Sequence, residues 1–253
     1  MRKVVSKLAL AAGVSLAMAL TLSCSSPDDD GGNPSSSSGG GGYTGSYGSV
    51  TYEGQTYKTV KIGSQTWFAE NLNYDPGIGR SACYDNQASN CVTYGRLYNW
   101  ATAMALPSGC NGGKCSDQIQ SPHQGICPSG WHIPGNAEWD KLYRYVDGTS
   151  GTESPYGSET AGKYLKSTSG WPNDWRYGDR NGTDQYGFSA LPAACGCGSG
   201  GSFVNIGYSG DWWSANEYNS NYAYNRSMDE FDYADWGEYG TKGFLFSVRC
   251  VQD

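Results

Sequence analysis

The alternation of polar and apolar side chains near residue 55 predicts a β-hairpin early in the chain. The stretch QTYKTVKI at 55–62 alternates residue by residue, which is the period of a strand with one buried face. A short run at 50–52 precedes it, and Glu53-Gly54 supplies turn residues between the two. A turn at Gly63-Ser64 then leads into a further extended segment.

Three later segments have helical spacing. Apolar residues of 96–105 fall on one face of a helix. A short helix is predicted at 159–167. Between them a helix begins after Pro134, and its apolar stripe recurs at i, i+3, i+4 and i+7. The residues of that stripe are Trp139, Leu142, Tyr143 and Val146.

From residue 186 onward the pattern is β-like and rich in turns. Strands are predicted near 186–191, 203–206, 211–215, 222–228 and 243–251. Helices flanked by strands at both ends of the domain predict an α+β fold, with short twisted antiparallel sheets and two to three helices.

The first 23 residues have the anatomy of a secretory signal peptide. Basic residues precede an apolar run at 8–22, which is too short for a comfortable membrane span. Ser23-Cys24 follows and resembles a lipobox, so we expect diacylation of Cys24 and contact with the membrane only through this lipid. The alternative is ordinary cleavage that leaves Cys24 as a spare thiol.

Residues 24–46 are expected to form the lipid anchor and a tether. Ser, Gly, Pro and Asp dominate this stretch, which has nothing to bury and cannot offset the entropy of ordering. The acidic run at 26–30 resembles a signal that exports lipoproteins to the outer surface of the outer membrane. The alternative is that this run is only a solvated acidic linker. The remaining residues, 47–253, form one domain by length.

The net charge of the chain limits the kinds of molecule that it is expected to bind. The whole chain has a net charge of −7, and removal of the basic leader makes the mature part more acidic still. Nucleic acids and anionic lipid surfaces are therefore unfavourable partners. Only two histidines are present, so a histidine-rich metal site is not expected.

Cysteines compensate for a core that is poor in aliphatic residues. The chain has 20 tyrosines and 9 tryptophans, and such a core needs covalent staples. An even number of cysteines beyond Cys24 indicates disulfides in an exported chain. Locality favours Cys83 with Cys91 and Cys110 with Cys115, and it leaves Cys195 and Cys197 to form a short strained bridge, pair elsewhere or stay reduced.

Several blocks resemble, in order, the Fibrobacter succinogenes major paralogous domain family. They are TVKIGSQTWFAENL at 59–72, CYDN at 83–86, YGRLYNW at 94–100, CPSGWHIP at 127–134, GFSALP at 187–192, WWSA at 212–215 and SVRC at 247–250. The resemblance implies a surface or secreted lipoprotein and a disulfide between Cys127 and Cys250. That family is in turn similar to the C-type lectin-like fold, which formylglycine-generating enzymes share.

The residues that could take part in catalysis are more simply explained by structural roles. Segment 132–140 resembles the helix-opening motif of those enzymes, with Gly135 where a hydroxyl residue stands, so Glu138 is expected to cap the helix. We expect His132 to be a packing histidine and His123 to lie in an exposed loop. The spacing of Cys195 and Cys197 does not match the copper-binding cysteines of those enzymes, and no hydrolase or phosphate-loop motif occurs.

The aromatic segment 208–239 is the candidate ligand-binding region. Its rings alternate with Asn and Asp, which suits the apolar faces and hydroxyl rim of a sugar, or a protein partner. Adjacent rings at Trp212 and Trp213 face opposite sides of a strand, so one is expected to be partly free. The residues singled out are Trp213, Tyr218, Asn219, Tyr222, Asp232 and Trp236.

Acidic residues in the same segment leave a calcium site open. Asp229, Asp232 and Asp235 carry carboxylates, which suit hard cations, although a solvated acidic face is the plainer interpretation. No other cofactor is expected. We therefore expect a non-catalytic binding or adhesion module for extracellular polysaccharide or protein, with a structural envelope protein without a ligand, or an enzyme on the same fold, as alternatives.

Overall fold

The computed structural model describes residues 42–77, 79–148, 158–176, 178–197, 201–234 and 238–253. Cys24 and most of the expected tether lie outside these ranges. No helix among the described residues is long and apolar enough to span a membrane. Tyr43 packs its ring against Tyr47, with centroids 4.9 Å apart, and against a core cluster, so the packed chain begins before residue 47.

Helices and antiparallel strands are mixed along the described chain, which confirms the α+β class. The helices are Ala88–Tyr94 (α1), Trp100–Ala103 (α2), Asn136–Asp147 (α3) and Ala161–Leu165 (α4). The strands are Gly48–Tyr52 (β1), Gln55–Ile62 (β2), Gln65–Phe68 (β3), Ser81–Ala82 (β4), Leu97–Tyr98 (β5), Trp131–His132 (β6), Asn173–Asp174 (β7), Gly178–Asp179 (β8), Ser209–Glu217 (β9), Tyr222–Asp229 (β10), Glu238–Thr241 (β11) and Val251–Gln252 (β12).

The larger sheet joins the two ends of the domain. Its strand order is β1-β2-β3-β12-β6, with antiparallel neighbours. The predicted hairpin is present, with Tyr52 opposite Gln55 across the turn. Val251 of the last strand pairs with Trp67 on one side and His132 on the other. Strand β12 therefore lies between β3 and β6, in the same sheet as the first strands of the domain.

The second sheet carries the late aromatic residues. Its strand order is β11-β10-β9, and a bulge between Ala223 and Asn225 interrupts the pairing of β9 with β10. The two-stranded pairs β4-β5 and β7-β8 complete the strands.

Helix α3 forms where its apolar stripe predicted it. Trp139, Leu142, Tyr143 and Val146 are all buried. At its start the Glu138 carboxylate accepts from the Gly135 amide at 2.8 Å. Gly135 has no side chain to cap the next amides, and Asn216 of β9 replaces it by accepting from the Asn136 amide at 2.7 Å. The helix ends at Gly148, whose φ of +66° favours glycine.

Strand β9 separates two clusters of buried side chains. Trp213 packs in a cluster with Tyr98, Trp100 and Phe246, whereas Trp212 packs in another with Trp67. The two adjacent rings do face opposite sides, but both are fully buried. The expectation that one ring is partly free is therefore wrong, because each face of β9 is covered by a core cluster.

Four disulfides join the eight cysteines of the domain. The bridges are Cys83–Cys91, Cys110–Cys115, Cys127–Cys250 and Cys195–Cys197. The first two agree with the local pairs expected from spacing. The third agrees with the pairing that the family resemblance implied, and it links the middle of the domain to its last strand.

Arg249 is buried in the centre of the domain without a carboxylate in direct contact among the described residues. Its guanidinium donates to the side-chain oxygen of Asn71 and to the carbonyls of Phe68, Phe188 and Ser189. Burial lowers its pKa to about 9, which leaves it charged at neutral pH. Backbone carbonyls from separate segments thus converge on one cation.

Several predicted elements are shorter or absent. The helix expected at 96–105 is reduced to α2, preceded by β5, and the third helix is reduced to α4. The segments 186–191 and 203–206 form isolated bridges at Ala190 and Val204 rather than strands. Segment 243–251 is bridged at 245–247 and becomes a strand only at its end. Except for the bridge from Val204 to Cys195, these pieces pair with segments more than 20 residues away, which local patterns do not reveal.

Candidate functional site

The turn between β9 and β10 gathers exposed tyrosines at one end of the smaller sheet. Tyr218 follows β9, and Tyr222 begins β10. The side-chain oxygen of Asn219 accepts from the amides of Asn221 and Tyr222, at 2.9 and 3.0 Å, and so shapes the turn between them. This use of an Asn side chain in place of a backbone turn is common.

Strand β11 adds the partner ring. Tyr239 lies directly opposite Tyr224 in the ladder, because β10 and β11 pair in register there. Tyr222 and Tyr224 are two residues apart and so share one face of β10. We call Tyr218, Tyr222, Tyr224 and Tyr239 the tyrosine cluster.

The rings of the tyrosine cluster form an ordered, accessible surface. Tyr218 and Tyr239 are stacked, with centroids 4.4 Å apart and planes within 10°. Tyr222 packs edge-on against Tyr239 at 5.5 Å, and Tyr224 packs edge-on against Tyr218 at 5.5 Å. Tyr218 and Tyr239 are 48% and 52% exposed. Mutual stacking fixes the rings while leaving large apolar faces and hydroxyl groups open to a ligand.

Three of the six residues singled out from sequence meet at this surface, namely Tyr218, Asn219 and Tyr222. Trp213 does not, since its side chain is fully buried and its indole donates to the Tyr98 carbonyl at 2.7 Å. Proposing Trp213 as a ligand contact was therefore wrong. Trp236 lies outside the described residues.

Asp232 also lies apart from the tyrosine cluster. It follows the far end of β10, and the seven steps from Tyr222 to Asp229 span roughly 20 Å at about 3.3 Å per residue. It is exposed in a loop of its own. Asp232 and Tyr222 therefore do not contact the same small ligand.

A lysine occupies the underside of that acidic loop. The Lys166 ammonium is fully buried and donates to the carbonyls of Asp229 and Phe231, at 3.2 and 2.5 Å. Burial lowers its pKa to about 8. Within the described ranges, no group of three or more His, Cys, Asp or Glu could hold a metal, and Asp235 of the suggested calcium set lies outside those ranges.

His132 is held between two carboxylates. Its Nε2 lies 2.7 Å from Glu138 and its Nδ1 lies 2.7 Å from Asp253. Burial alone would lower its pKa, but the two carboxylates outweigh burial and raise it. Both ring nitrogens are thus engaged in contacts that tie β6 to α3 and to the end of β12, as expected of a packing histidine.

His123 is also bonded, through Nε2 to the Met104 carbonyl at 2.8 Å, and Nδ1 accepts from the Gln120 amide. A further buried ion pair joins Glu217 to Lys242, below the turn of the tyrosine cluster. Burial raises the pKa of Glu217, but the bond from Lys242 and the amide of Cys115 outweigh it and lower the pKa overall. This pair anchors the turn from beneath.

Tyr239 was not singled out from sequence, although it completes the stacked pair. Its strand has four residues and lies at the edge of the sheet among the described strands. Such a short strand does not give a long alternating pattern. The sequence does contain one indication of this surface. Tyr222 and Tyr224 recur with a period of two, which predicts an aromatic strand face that a neighbouring strand can extend.

The described residues define a class: disulfide-stapled α+β domains with an exposed aromatic surface on a small antiparallel sheet. Residues 60–252 match the model of the Fibrobacter succinogenes major domain, and the chain belongs to that family. No curated protein and no solved structure matches the chain.

Proposed function

We propose that this chain is a lipid-anchored, non-catalytic binding module of the cell surface, and that its tyrosine cluster binds extracellular polysaccharide. The observation that carries the proposal is the stacked, half-exposed pair Tyr218 and Tyr239. Pyranose rings present apolar C–H faces and polar rims, which suit tyrosine faces and hydroxyls.

The proposal extends to the fold and the location. Short antiparallel sheets, disulfides and a late three-stranded sheet that bears the exposed rings support a C-type lectin-like class. The signal-like leader and Cys24 support export to the outer membrane with the domain facing outward. The engaged ring nitrogens of His132 support a structural rather than catalytic role for that residue.

Retention on insoluble cellulose and insoluble xylan tests the proposed ligand. The full chain in a sugar-free detergent is compared with Tyr218→Ala and Tyr239→Ala. We expect each variant to lose at least tenfold in retention with its unfolding midpoint nearly unchanged, since the rings are on the surface. Tyr208→Ala is the matched control, because Tyr208 is 54% exposed but precedes the opposite end of β9.

The outcome separates the candidate roles. If wild type is retained on neither polymer, the polysaccharide proposal fails, and a protein ligand or a purely structural role takes its place. If Tyr208→Ala loses as much as Tyr218→Ala, retention does not depend on the tyrosine cluster.

The anchor is tested separately. Cys24→Ser should move the protein from the membrane fraction to the soluble fraction, because a single residue carries the lipid. Unchanged membrane association would contradict the lipoprotein assignment.

A further inference from the structure

A groove on another part of the domain has the size of a ligand site. It is bordered by β1, by the segments around Tyr74 and Arg80, and by α2 with the turn that follows it. Its volume is about 910 Å³, within the range of about 300–1,000 Å³ typical of small-molecule sites. Two other hollows, of 210 and 290 Å³, fall below that range.

One wall of the groove is aromatic. Tyr52 and Tyr74 have ring centroids 5.0 Å apart, and both are partly buried against the main core cluster together with Leu106. Burial, with smaller contributions from Tyr74 and Glu53, raises the pKa of Tyr52 to about 12.

The lining of the groove also carries two carboxamides that the fold has already oriented. The Asn99 side-chain oxygen accepts from the Thr102 amide at 3.0 Å and caps α2. The Asn111 side-chain oxygen accepts from the Ala101 amide at 3.0 Å. Because each oxygen is used by the backbone, each NH₂ group is left to donate to a ligand in the groove.

The groove carries little charge. Arg80 is the one charged residue among the described residues that line the groove. Its guanidinium donates to the Gly243 carbonyl at 3.3 Å, and its amide donates to the Thr102 hydroxyl at 2.9 Å. The lining thus offers oriented neutral donors beside an aromatic face.

The groove and the tyrosine cluster border the same disulfide-closed loop. Asn111, inside the Cys110–Cys115 loop, lines the groove. The carbonyl of Gly113 in that loop accepts from the Lys242 ammonium at 3.0 Å. Thr241, the residue before Lys242, pairs with Tyr222 of the tyrosine cluster. The two surfaces therefore adjoin one short segment of the chain.

We propose that this groove is a second carbohydrate subsite, which binds pyranose units of a neutral polysaccharide between the Tyr52 and Tyr74 rings and the amides of Asn99 and Asn111. The proposal rests on the proposed function for its ligand class. It adds a site that discriminates by hydrogen bonding, whereas the open tyrosine cluster contacts mainly ring faces.

Calorimetric titration with cellohexaose and with xylohexaose tests the subsite, using the full chain in sugar-free detergent. Asn111→Asp keeps the oxygen that accepts from Ala101 but removes the NH₂ donors, so the fold should persist while affinity falls at least tenfold. Ser108→Trp fills the groove from an exposed position on its rim and should abolish binding in the groove, while any binding at the tyrosine cluster persists. Asn216→Asp is the matched control, because it makes the same change in a carboxamide that caps α3.

The results distinguish the two surfaces. Loss of hexasaccharide binding in Asn111→Asp and Ser108→Trp, with binding retained in Asn216→Asp, supports the groove even if Tyr218→Ala shows that the tyrosine cluster is not a ligand site. Wild-type affinity in both groove variants overturns the subsite and leaves the proposed function standing. Failure of wild type to bind either hexasaccharide also overturns the subsite, as does preference for a galacturonic acid oligomer that is lost in Arg80→Gln.

Discussion

Arg249 donates from its Nε to the side-chain oxygen of Asn71 at 2.8 Å, across 178 positions of sequence. The Trp212 indole donates to the same oxygen at 2.8 Å. The Asn71 NH₂ group meanwhile donates to the Tyr94 carbonyl at 2.8 Å. One amide thus satisfies a buried cation, a buried indole and a chain segment, and each of these residues belongs to a separate family block.

Asn71→Ala should therefore destabilise the domain by about 3–5 kcal/mol, because it leaves the Arg249 and Trp212 donors buried without their shared acceptor. Denaturant unfolding with the disulfides intact measures the loss. Asn73→Ala is the control: its backbone amide bonds to the Tyr57 hydroxyl, and that bond survives the change. A loss below about 1 kcal/mol in Asn71→Ala would contradict this role.

Trp213→Ala should cost about 3–5 kcal/mol, as expected for truncation of a fully buried aromatic side chain. Trp175→Ala is the comparison, because Trp175 is 87% exposed, and it should change stability by less than about 0.5 kcal/mol. Thermal unfolding followed by near-ultraviolet circular dichroism reports both. Equal effects in the two variants would show that Trp213 is not a core residue.

His132 should make stability depend on pH. Its pKa is raised in the folded protein because the carboxylates of Glu138 and Asp253 outweigh burial, so the native state holds the proton more tightly. This stabilisation is fully present below the unfolded pKa of about 6.5 and is lost as pH rises through the higher folded pKa. The stability advantage of wild type over His132→Gln should then be larger at pH 5.5 than at pH 8.5.

An advantage of wild type over His132→Gln that grows with pH would reverse the assigned sign.

Lys166 should produce the opposite trend in alkaline solution. Burial lowers its folded pKa to about 8, against about 10.4 when unfolded, so the unfolded state binds more protons between these values. Stability attributable to Lys166 therefore rises as pH increases from 8 to 10. Unfolding of wild type and Lys166→Met at several pH values, with free thiols blocked, measures the difference. A flat difference would show that Lys166 has an ordinary pKa when folded.

Local sequence predicted the elements whose partners lie close by or whose pattern is long. The stripe of α3 spans about two turns, and the hairpin at Tyr52 and Gln55 closes over a two-residue turn, so each carries its own signal. Locality also indicated two of the disulfides. The pairing of Cys127 with Cys250 came from the family resemblance, since spacing alone left many pairings open.

The burial of Trp213 could not be predicted from sequence because it depends on distant contacts. Its ring packs on Phe246, with centroids 4.4 Å apart, and its indole bonds to Tyr98. The groove could not be predicted for the same reason. Tyr74 and Asn111 come from separate segments, and no pattern within either segment indicates that both line one groove. A site formed by separate loops has no local period.

The Cys127–Cys250 bridge limits what a single proteolytic cut can release from the domain. A single cut anywhere between these residues produces two polypeptides that remain one covalent molecule, because each carries one of the bridged sulfurs. Tyr218 and Tyr239 both lie inside that loop. The stretch that bears them stays joined to the N-terminal half after any one cleavage inside this loop, so a cut there releases the tyrosine cluster only when a second cut or a reductant accompanies it.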